Sequence, residues 1–209
     1  MELRKAEGDL IEHHAGEVPA LVWSTGPVSY EYHFGRRALF DAVVQASWHT
    51  AGTLFGADAA ILALRDGALL GLAITMPGPE FRSRGSALAP LWQELLAADA
   101  VQPDEVAGVV ERSRLASWLN PALHSSTWYI HAIAVTPEAR EQRIGVQLME
   151  HALETAKERG CRELQLDVLS DNPAVGFYRS LGLEVLAETR APKPAEFGVP
   201  PELRMGIRL

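Results

Sequence analysis

The segment from Tyr129 to Leu153, YIHAIAVTPEAREQRIGVQLMEHAL, places groups that suit an anion between a strand pattern and a helix pattern. The apolar run ends at Thr136-Pro137, and two arginines, a glutamine and a glycine follow before the amphipathic stretch. The first N–H groups of a helix have no partner within it, and the helix dipole adds positive charge there. Gly145 allows close approach of the backbone, and Arg140 and Arg143 add charged donors. The segment therefore predicts a pyrophosphate site.

The flanking elements predict an α/β fold. Trp128 to Val135 reads as a strand and Gln142 to Arg159 as a helix closed by Gly160. A strand at Glu163 to Leu169, a helix at about Ala174 to Leu181 and a strand at Leu183 to Glu188 follow. Strands alternating with helices indicate an α/β sheet.

The remaining patterns complete this prediction. An Asp66-Gly67 turn between two apolar runs predicts an antiparallel hairpin, which makes the sheet mixed. Helices are expected at about Asp9 to Glu12 and at Gly35 to His49, and two helical pieces broken near Pro103 are expected between residues 87 and 119. The segment APKPAEFGVPP (residues 191–201) is expected to be a loop, and Leu203 to Leu209 a last strand.

The phosphate-binding turn matches neither of the two best-known nucleotide motifs, because the chain contains no GxxxxGK[ST] and no GxGxxG after a strand. It resembles the acetyl-coenzyme A site of the GCN5-related N-acetyltransferases (GNAT), whose pattern is R/Q-x-x-G-x-G/A. Here the segment reads REQRIG, with Arg140 and Gly145 in place and Arg143 at the position of the first glycine. In a helical conformation an arginine is allowed there and would reach a phosphate itself.

A second motif of the same family lies downstream. DNPAVGFYRSLGLEV resembles the family signature N-x-A-x-x-x-Y-x-x-x-G-F, with Asn172, Ala174, Tyr178 and Gly182 in place and Leu183 where phenylalanine is usual. Two motifs in the right order on the right elements are more specific than either alone. The resemblance covers about residues 128–188.

The resemblance implies one mixed, centrally splayed β-sheet of six or seven strands flanked by helices, in a single domain of residues 1–209. The acceptor side would take about residues 1–125, with a helical insertion around 85–120, and the acetyl-coenzyme A side about 126–209. Pantetheine would pair with the fourth strand, and pyrophosphate would lie on the turn and helix that follow it. The implied cofactor-binding residues are Ile133, Ala134, Val135, Arg140, Glu141, Gln142, Arg143, Ile144, Gly145, Val146, Asn172 and Tyr178.

Two residues are candidates for proton transfer. The resemblance implies that Tyr178 is the general acid that protonates the departing thiolate, and packing against the sheet is its alternative role. The alternation of side chains predicts that Tyr129, His131, Ile133 and Val135 share one face of their strand. Histidine has an unperturbed pKa near 6.5, so His131 is a candidate general base. A buried structural histidine is an equal alternative.

Acceptor-binding residues are less well marked. The stretch SYEYHFG groups Tyr30, Glu31, Tyr32 and His33 where the family builds its acceptor pocket, and a polar loop with core aromatic residues is the alternative. Glu80 follows the hairpin and is a candidate to face the acceptor, with a solvated loop carboxylate as the alternative, and Tyr129 shares the predicted face with His131. The histidines have no metal-ligand spacing, so no metal is expected.

The resemblance implies an enzyme that transfers acetyl from acetyl-coenzyme A to a primary amine, and a small molecule is the predicted acceptor. A protein or peptide amino group as acceptor, and a non-catalytic sensor of acyl-coenzyme A, are the alternatives. The sequence also leaves a homodimer open.

Composition sets limits on the class of protein. The chain has 209 residues, 47% of them hydrophobic, one cysteine and a net charge of −8, which argues against nucleic acid as a partner. Residues 1–139 carry 16 acidic and 9 basic residues, whereas residues 140–209 carry 11 and 10, so the first part favours a cation and the second tolerates an anion. The charged start and the lack of an apolar run near 20 residues predict a cytoplasmic protein that does not enter membranes.

Overall fold

Seven strands pair into one sheet in the computed structural model, which describes residues 1–209. They are β1 (Glu2–Lys5), β2 (Ala60–Arg65), β3 (Ala68–Pro77), β4 (Thr127–Val135), β5 (Glu163–Leu169), β6 (Glu184–Thr189) and β7 (Glu202–Arg208). Their order across the sheet is β1-β2-β3-β4-β5-β7-β6, and only the β4–β5 pair is parallel. The mixed seven-stranded sheet confirms the predicted fold class.

Ten α-helices cover the two faces of the sheet. They are α1 (Asp9–His14), α2 (Val18–Trp23), α3 (Pro27–Phe34), α4 (Arg37–Trp48), α5 (Glu80–Ser86), α6 (Ala89–Ala97), α7 (Pro103–Leu115), α8 (Ile144–Glu158), α9 (Ala174–Ser180) and α10 (Pro192–Phe197). Side chains of α2, α4, α6 and α7 join the larger core cluster, while α8 and α9 pack on the other face. None of these helices combines the length and apolar character that crossing a membrane requires.

The predicted hairpin and its turn are confirmed. Asp66 and Gly67 both have positive φ, 53° and 81°, as a two-residue turn that matches strand twist requires. The turn joins β2 to β3, and β3 in turn is the antiparallel neighbour of β4.

The two helical pieces predicted between residues 87 and 119 are confirmed as α6 and α7, and a third helix, α5, precedes them where no helix was predicted. The chain from 116 to 126 leads to β4 without a further helix. The missed helix α5 buries none of its residues, so no apolar periodicity marked it. It is fixed instead by Arg84, which pairs with Glu80 at 3.0 Å and with Asp58 at 2.9 Å. The predicted break near Pro103 is confirmed, because Pro103 begins α7.

The prediction that residues 191–201 form only a loop is wrong, because α10 lies within them. Its prolines, Pro192 and Pro194, fall in the first turn, where the missing N–H groups would have no helical acceptor. Gly198 ends the helix with φ 99°. Proline that is read as a helix breaker can therefore occupy the start of a helix.

Candidate active site

The β4–β5 pair separates along its length. Register pairing runs from Thr127 opposite Glu163 to Ile130 opposite Leu166 and stops there, although both strands continue. The edge of β4 beyond Ile130 therefore loses its neighbour. A cavity of about 1410 Å³ lies at this point, and both strands line it together with α3, α8 and α9.

A β-bulge marks the residue at which the strands separate. Ile74 of β3 lies opposite Ala132 of β4, and the next residue, Thr75, lies opposite Ile130. His131 is therefore the extra residue of β4. A bulge bends its strand and shifts the alternation of side chains by one position.

This shift corrects the predicted face of β4. Tyr129 and His131 do share a face, and their rings lie 4.7 and 5.6 Å from the ring of Phe81. Ile133 and Val135, which were expected beside them, pack against the cluster that includes α8 on the opposite face. The prediction was wrong for these two residues because strict alternation does not survive the bulge.

The predicted anion site lies at the start of α8. The N–H groups of Ile144, Gly145 and Val146 donate to no backbone carbonyl, and no side chain caps this helix end. The first N–H group that finds an acceptor is that of Gln147, 3.1 Å from the carbonyl oxygen of Arg143. Because these residues line the cavity, their free N–H groups are available to donate hydrogen bonds to an anion there.

The turn before α8 departs from the expected helical backbone. Arg143 precedes the helix with φ 63° and ψ 14°, and Glu141 has φ 65°, so both residues are left-handed. That conformation explains why glycine would be favoured at position 143, since residues with a side chain are strained at positive φ. Both residues line the cavity.

Most of the implied cofactor residues meet in this cavity. Gln142 does not line it; its amide donates to the carbonyl of Glu138 at 3.0 Å and accepts from Arg65 at 2.9 Å. The lining contains Ile133, Ala134, Val135, Arg140, Glu141, Arg143, Ile144, Gly145, Val146, Asn172 and Tyr178.

Asn172 and Gly145 have clear local roles. The side chain of Asn172 accepts from the N–H of Ala174 at 2.9 Å and donates to the carbonyl of Thr25 at 3.1 Å, which fixes the start of α9 against the turn after α2. A Cβ atom at Gly145 would lie 3.4 Å from the ring of Phe177. The helix start and α9 are therefore in close contact.

Tyr178 projects from α9 into the cavity and is only 7% exposed. Burial raises its pKa well above the ordinary value, so the phenol keeps its proton at neutral pH. A protonated hydroxyl in this cavity is suited to donate a proton or a hydrogen bond.

The environment of His131 is apolar. Its ring lies 5.2 Å from Phe55 and 5.6 Å from Phe81, and its buried Nε2 has no hydrogen-bond partner. Burial lowers the pKa of His131 from 6.5 to about 4. The ring is therefore neutral at pH 7 and a weak acceptor of a proton from an ammonium group.

The predicted acceptor residues divide into two sets. His33 and Tyr129 line the cavity, whereas Glu31, Tyr32 and Glu80 do not. Glu31 is exposed, the buried Tyr32 hydroxyl has no partner, and Glu80 pairs within α5. The segment that holds Glu31, Tyr32 and His33 is α3 and not a loop.

Helix α3 also contributes Tyr30, from the same stretch as Glu31, Tyr32 and His33. Tyr30 lines the cavity, and burial raises its pKa to about 12. Burial, followed by the charge of Arg112, lowers the pKa of His33 to about 4. Helix α3 thus presents neutral aromatic groups to the cavity.

An acidic cluster was missed by the sequence analysis; it consists of Asp167 and Glu202 with their partners Arg204, Tyr129 and Asn120. Asp167 receives two hydrogen bonds from Arg204, at 2.5 and 2.7 Å, and one from the hydroxyl of Tyr129 at 3.0 Å. The side-chain amide of Asn120 lies 3.0 Å from Asp167 and 3.2 Å from Glu202. All but Arg204 line the cavity.

Glu202 is the unusual carboxyl of this cluster. Burial, and then the charge of Asp167, raises its pKa to about 8 against the opposing effect of Arg204. Glu202 and Arg204 are two residues apart on β7 and face the same side, as the alternation in ELRM indicates. That alternation was the available signal, but the predicted strand began at Leu203 and left Glu202 outside it.

Comparison with known proteins identifies the family. Residues 28–183 match the Acetyltransferase (GNAT) family. The chain belongs to the GNAT family.

Curated relatives match this chain over short segments. One is a thialysine N-epsilon-acetyltransferase of Bos taurus, 39% identical over 69 residues, which are 30% of this chain and 41% of that protein. Another is a putative ribosomal protein bS18-alanine N-acetyltransferase of Bacillus subtilis, 42% identical over 53 residues, 25% of this chain and 35% of that protein. The matched segments thus span about two fifths of these curated relatives.

A solved structure supports the GNAT fold over the whole chain. It is an N-acetyltransferase from Staphylococcus aureus Mu50, with a TM-score of 0.73 and 15% identity, covering 99% of this chain and 100% of that chain. GNAT enzymes use acetyl-coenzyme A as acyl donor, and the free N–H groups of Ile144, Gly145 and Val146 suit its pyrophosphate.

Proposed function

We propose that the protein transfers acetyl from acetyl-coenzyme A to a primary amine of a small molecule. The observation that carries this proposal is one cavity that contains the free N–H groups of α8, the Tyr178 hydroxyl and the buried acidic cluster. The first of these groups suits an anionic donor, and the last suits a cationic acceptor. The Tyr178 hydroxyl, in the same cavity, is available to a leaving group.

The donor end of the cavity suits a coenzyme A thioester. The N–H groups at the start of α8 and the side chains of Arg140 and Arg143 would hold the pyrophosphate. The edge of β4 that faces β5 has no strand partner from His131 to Val135, and this edge would pair with the pantetheine amides. The bound thioester supplies the activated acetyl group.

The reaction requires an oriented, neutral amine. An alkylammonium has a pKa of about 10, so the acceptor must lose a proton before its nitrogen attacks the thioester carbon. The Tyr178 hydroxyl then protonates the departing sulfur. Direct attack in a preformed cavity gains from proximity and from the exclusion of water.

The acceptor end favours a small amine with an apolar body. Trp92 of α6, Leu88 just before it and Val109 of α7 line the same cavity as the acidic cluster, so a cationic head could meet the acids while its body meets apolar side chains. The two curated relatives are named for different acceptors, thialysine and an alanine of a ribosomal protein. They do not choose between a small molecule and a protein.

A panel of amines tests the proposal. Thiol release from acetyl-coenzyme A is measured with alkylamines, arylalkylamines, diamines and peptides with free amino groups, and mass spectrometry identifies the acetylated product. Turnover of a small amine with at least tenfold higher kcat/KM than any peptide is expected. A higher kcat/KM for peptides than for small amines would indicate a protein acceptor instead. Binding of the thioester without turnover of any amine would indicate a sensor.

A further inference from the structure

We infer that Glu202 is the catalytic base that takes the proton from the acceptor ammonium group. This inference rests on the proposed function and adds to it both the residue and the charge of the acceptor. The acceptor class is a primary alkylamine that enters as a monocation.

Partner geometry distinguishes Glu202 from Asp167, the other carboxylate of the cluster. Asp167 is only 3% exposed at its side chain, and Arg204 neutralises it through both carboxylate oxygens. The Glu202 carboxylate receives one protein hydrogen bond, from Asn120 at 3.2 Å, and pairs with no cation. Glu202 is therefore the acid in this cluster with capacity for a cationic ligand.

The surroundings of Glu202 adjust it to proton transfer. Asp167 and Arg204 from the paired strands oppose one another in charge, while Tyr129 and Tyr30 face it as neutral phenols whose pKa values its charge raises further. Because burial and Asp167 raise the pKa of Glu202 to about 8, the carboxylate is a far stronger base than an exposed one. An arriving ammonium group favours its ionised form.

The two cavity groups considered earlier do not fill this role. Neutral His131 has a pKa of about 4, and Tyr178 holds its proton. In the proposed step an ammonium N–H bond breaks and the proton joins Glu202. The nitrogen forms the C–N bond as the C–S bond breaks, and the hydroxyl proton of Tyr178 moves to sulfur. Tyr178 then regains a proton from the new amide nitrogen, and Glu202 releases its proton to solvent.

The test compares two acceptors in three proteins. The acceptors are the best alkylamine of the panel and a weakly basic aromatic amine, which is already neutral at pH 7. The proteins are the wild type, Glu202→Gln and the matched control Glu188→Gln, whose carboxylate is exposed on β6. kcat/KM is measured from pH 6 to pH 9.5, and melting with acetyl-coenzyme A checks folding and donor binding.

The base role predicts a roughly 10²-fold or greater loss for the alkylamine in Glu202→Gln, with less than a threefold change for the aromatic amine. The wild type should show a rise near pH 8 with the alkylamine that the variant lacks. Glu188→Gln should match the wild type. Equal losses for both amines, or a retained rate and rise in Glu202→Gln, would overturn the inference while leaving the acetyltransferase intact.

The wild type alone provides a second test. A rise near pH 8 that is identical for both amines would also refute the base role, because the neutral acceptor has no proton to give up. Wild-type protein that releases no thiol with any amine refutes the proposed function itself, and the inference with it.

Discussion

The hydroxyl of Tyr129 donates to the carboxylate of Asp167 over 3.0 Å, across the parallel strands β4 and β5 beside the point where they separate. Tyr129 precedes the bulge at His131 by two residues, and Asp167 follows the last paired residue of β5. One hydrogen bond thus joins the two strands where their backbone pairing ends. It also orders the wall of the cavity that holds Glu202.

Tyr129→Phe tests the contribution of this contact to stability. The change removes one donor to a buried carboxylate that keeps its bonds from Arg204 and Asn120. We expect the free energy of unfolding in urea to fall by about 1 to 3 kcal/mol. Tyr32→Phe is the matched control, because it removes a buried hydroxyl that has no partner. Equal effects of the two changes would show that the contact to Asp167 contributes nothing.

Local pattern was sufficient to predict much of the fold. The strands of the second half followed from apolar periodicity, and Asp66-Gly67 identified the hairpin from turn chemistry alone. Helices α5 and α10 were missed for physical reasons. The first is held by ion pairs to Arg84 rather than by an apolar face, and the second has prolines that are harmless in a first turn.

The site was predictable where it depends on one short segment. The turn before α8 and Tyr178 carry their chemistry in contiguous residues. The acidic cluster does not, since Asp167 and Glu202 meet through the register of β5 with β7, and Asn120 reaches both from the segment between α7 and β4. The pKa values of His131 and Glu202 depend on burial, which no local pattern reports.

Tyr178→Phe tests the general acid. Loss of the hydroxyl leaves the departing sulfur without a proton donor, so we expect kcat to fall by roughly 10² to 10⁴ with the melting shift by acetyl-coenzyme A unchanged. Thiol release and melting are measured on the same samples. The control Tyr32→Phe should keep its rate. An unchanged kcat in Tyr178→Phe would mean that the thiolate leaves unaided.

Arg143→Gly and Glu141→Gly form a matched pair at the predicted pyrophosphate site. Both remove a side chain from a left-handed residue, which relieves about 1 to 2 kcal/mol but costs about 0.5 to 1 in unfolded-chain entropy. Each should therefore leave stability unchanged or slightly higher. Their effects on donor affinity should differ in sign, because one removes a positive charge near the anion and the other a negative charge.

Calorimetric titration of acetyl-coenzyme A measures this difference. We expect a Kd several-fold higher for Arg143→Gly and lower for Glu141→Gly, with the gap narrowing as salt screens the charges. Changes of the same sign in both variants would place the pyrophosphate elsewhere. This comparison separates charge from backbone conformation, since both positions have nearly the same φ.

His131→Leu tests the buried histidine. Its folded pKa of about 4 lies below the ordinary 6.5, so protonation favours the unfolded chain. The stability that depends on neutral His131 is present above pH 6.5 and is lost as pH falls toward 4, by about 3 kcal/mol in all. Urea unfolding at pH 7 and pH 4.5 should show a smaller acid loss for His131→Leu than for the wild type. The exposed control His124→Leu should keep the wild-type loss; the same loss in His131→Leu would contradict the buried, neutral ring.

Glu202→Gln should change stability with the opposite dependence on pH. Its folded pKa of about 8 lies above the ordinary 4.5, so the folded protein binds this proton more tightly than the unfolded chain. Between pH 4.5 and pH 8 the free energy of unfolding falls as pH rises, because the unfolded chain releases this proton while the folded protein still holds it. The neutral amide carries no such cost, so Glu202→Gln should melt higher than the wild type at pH 8, by roughly 2 to 4 °C for each kcal/mol relieved, and match it near pH 4.5. Glu188→Gln should show no difference at either pH. A melting difference for Glu202→Gln that is the same at both values would show that Glu202 titrates normally, and its assignment as a base would lose its electrostatic support.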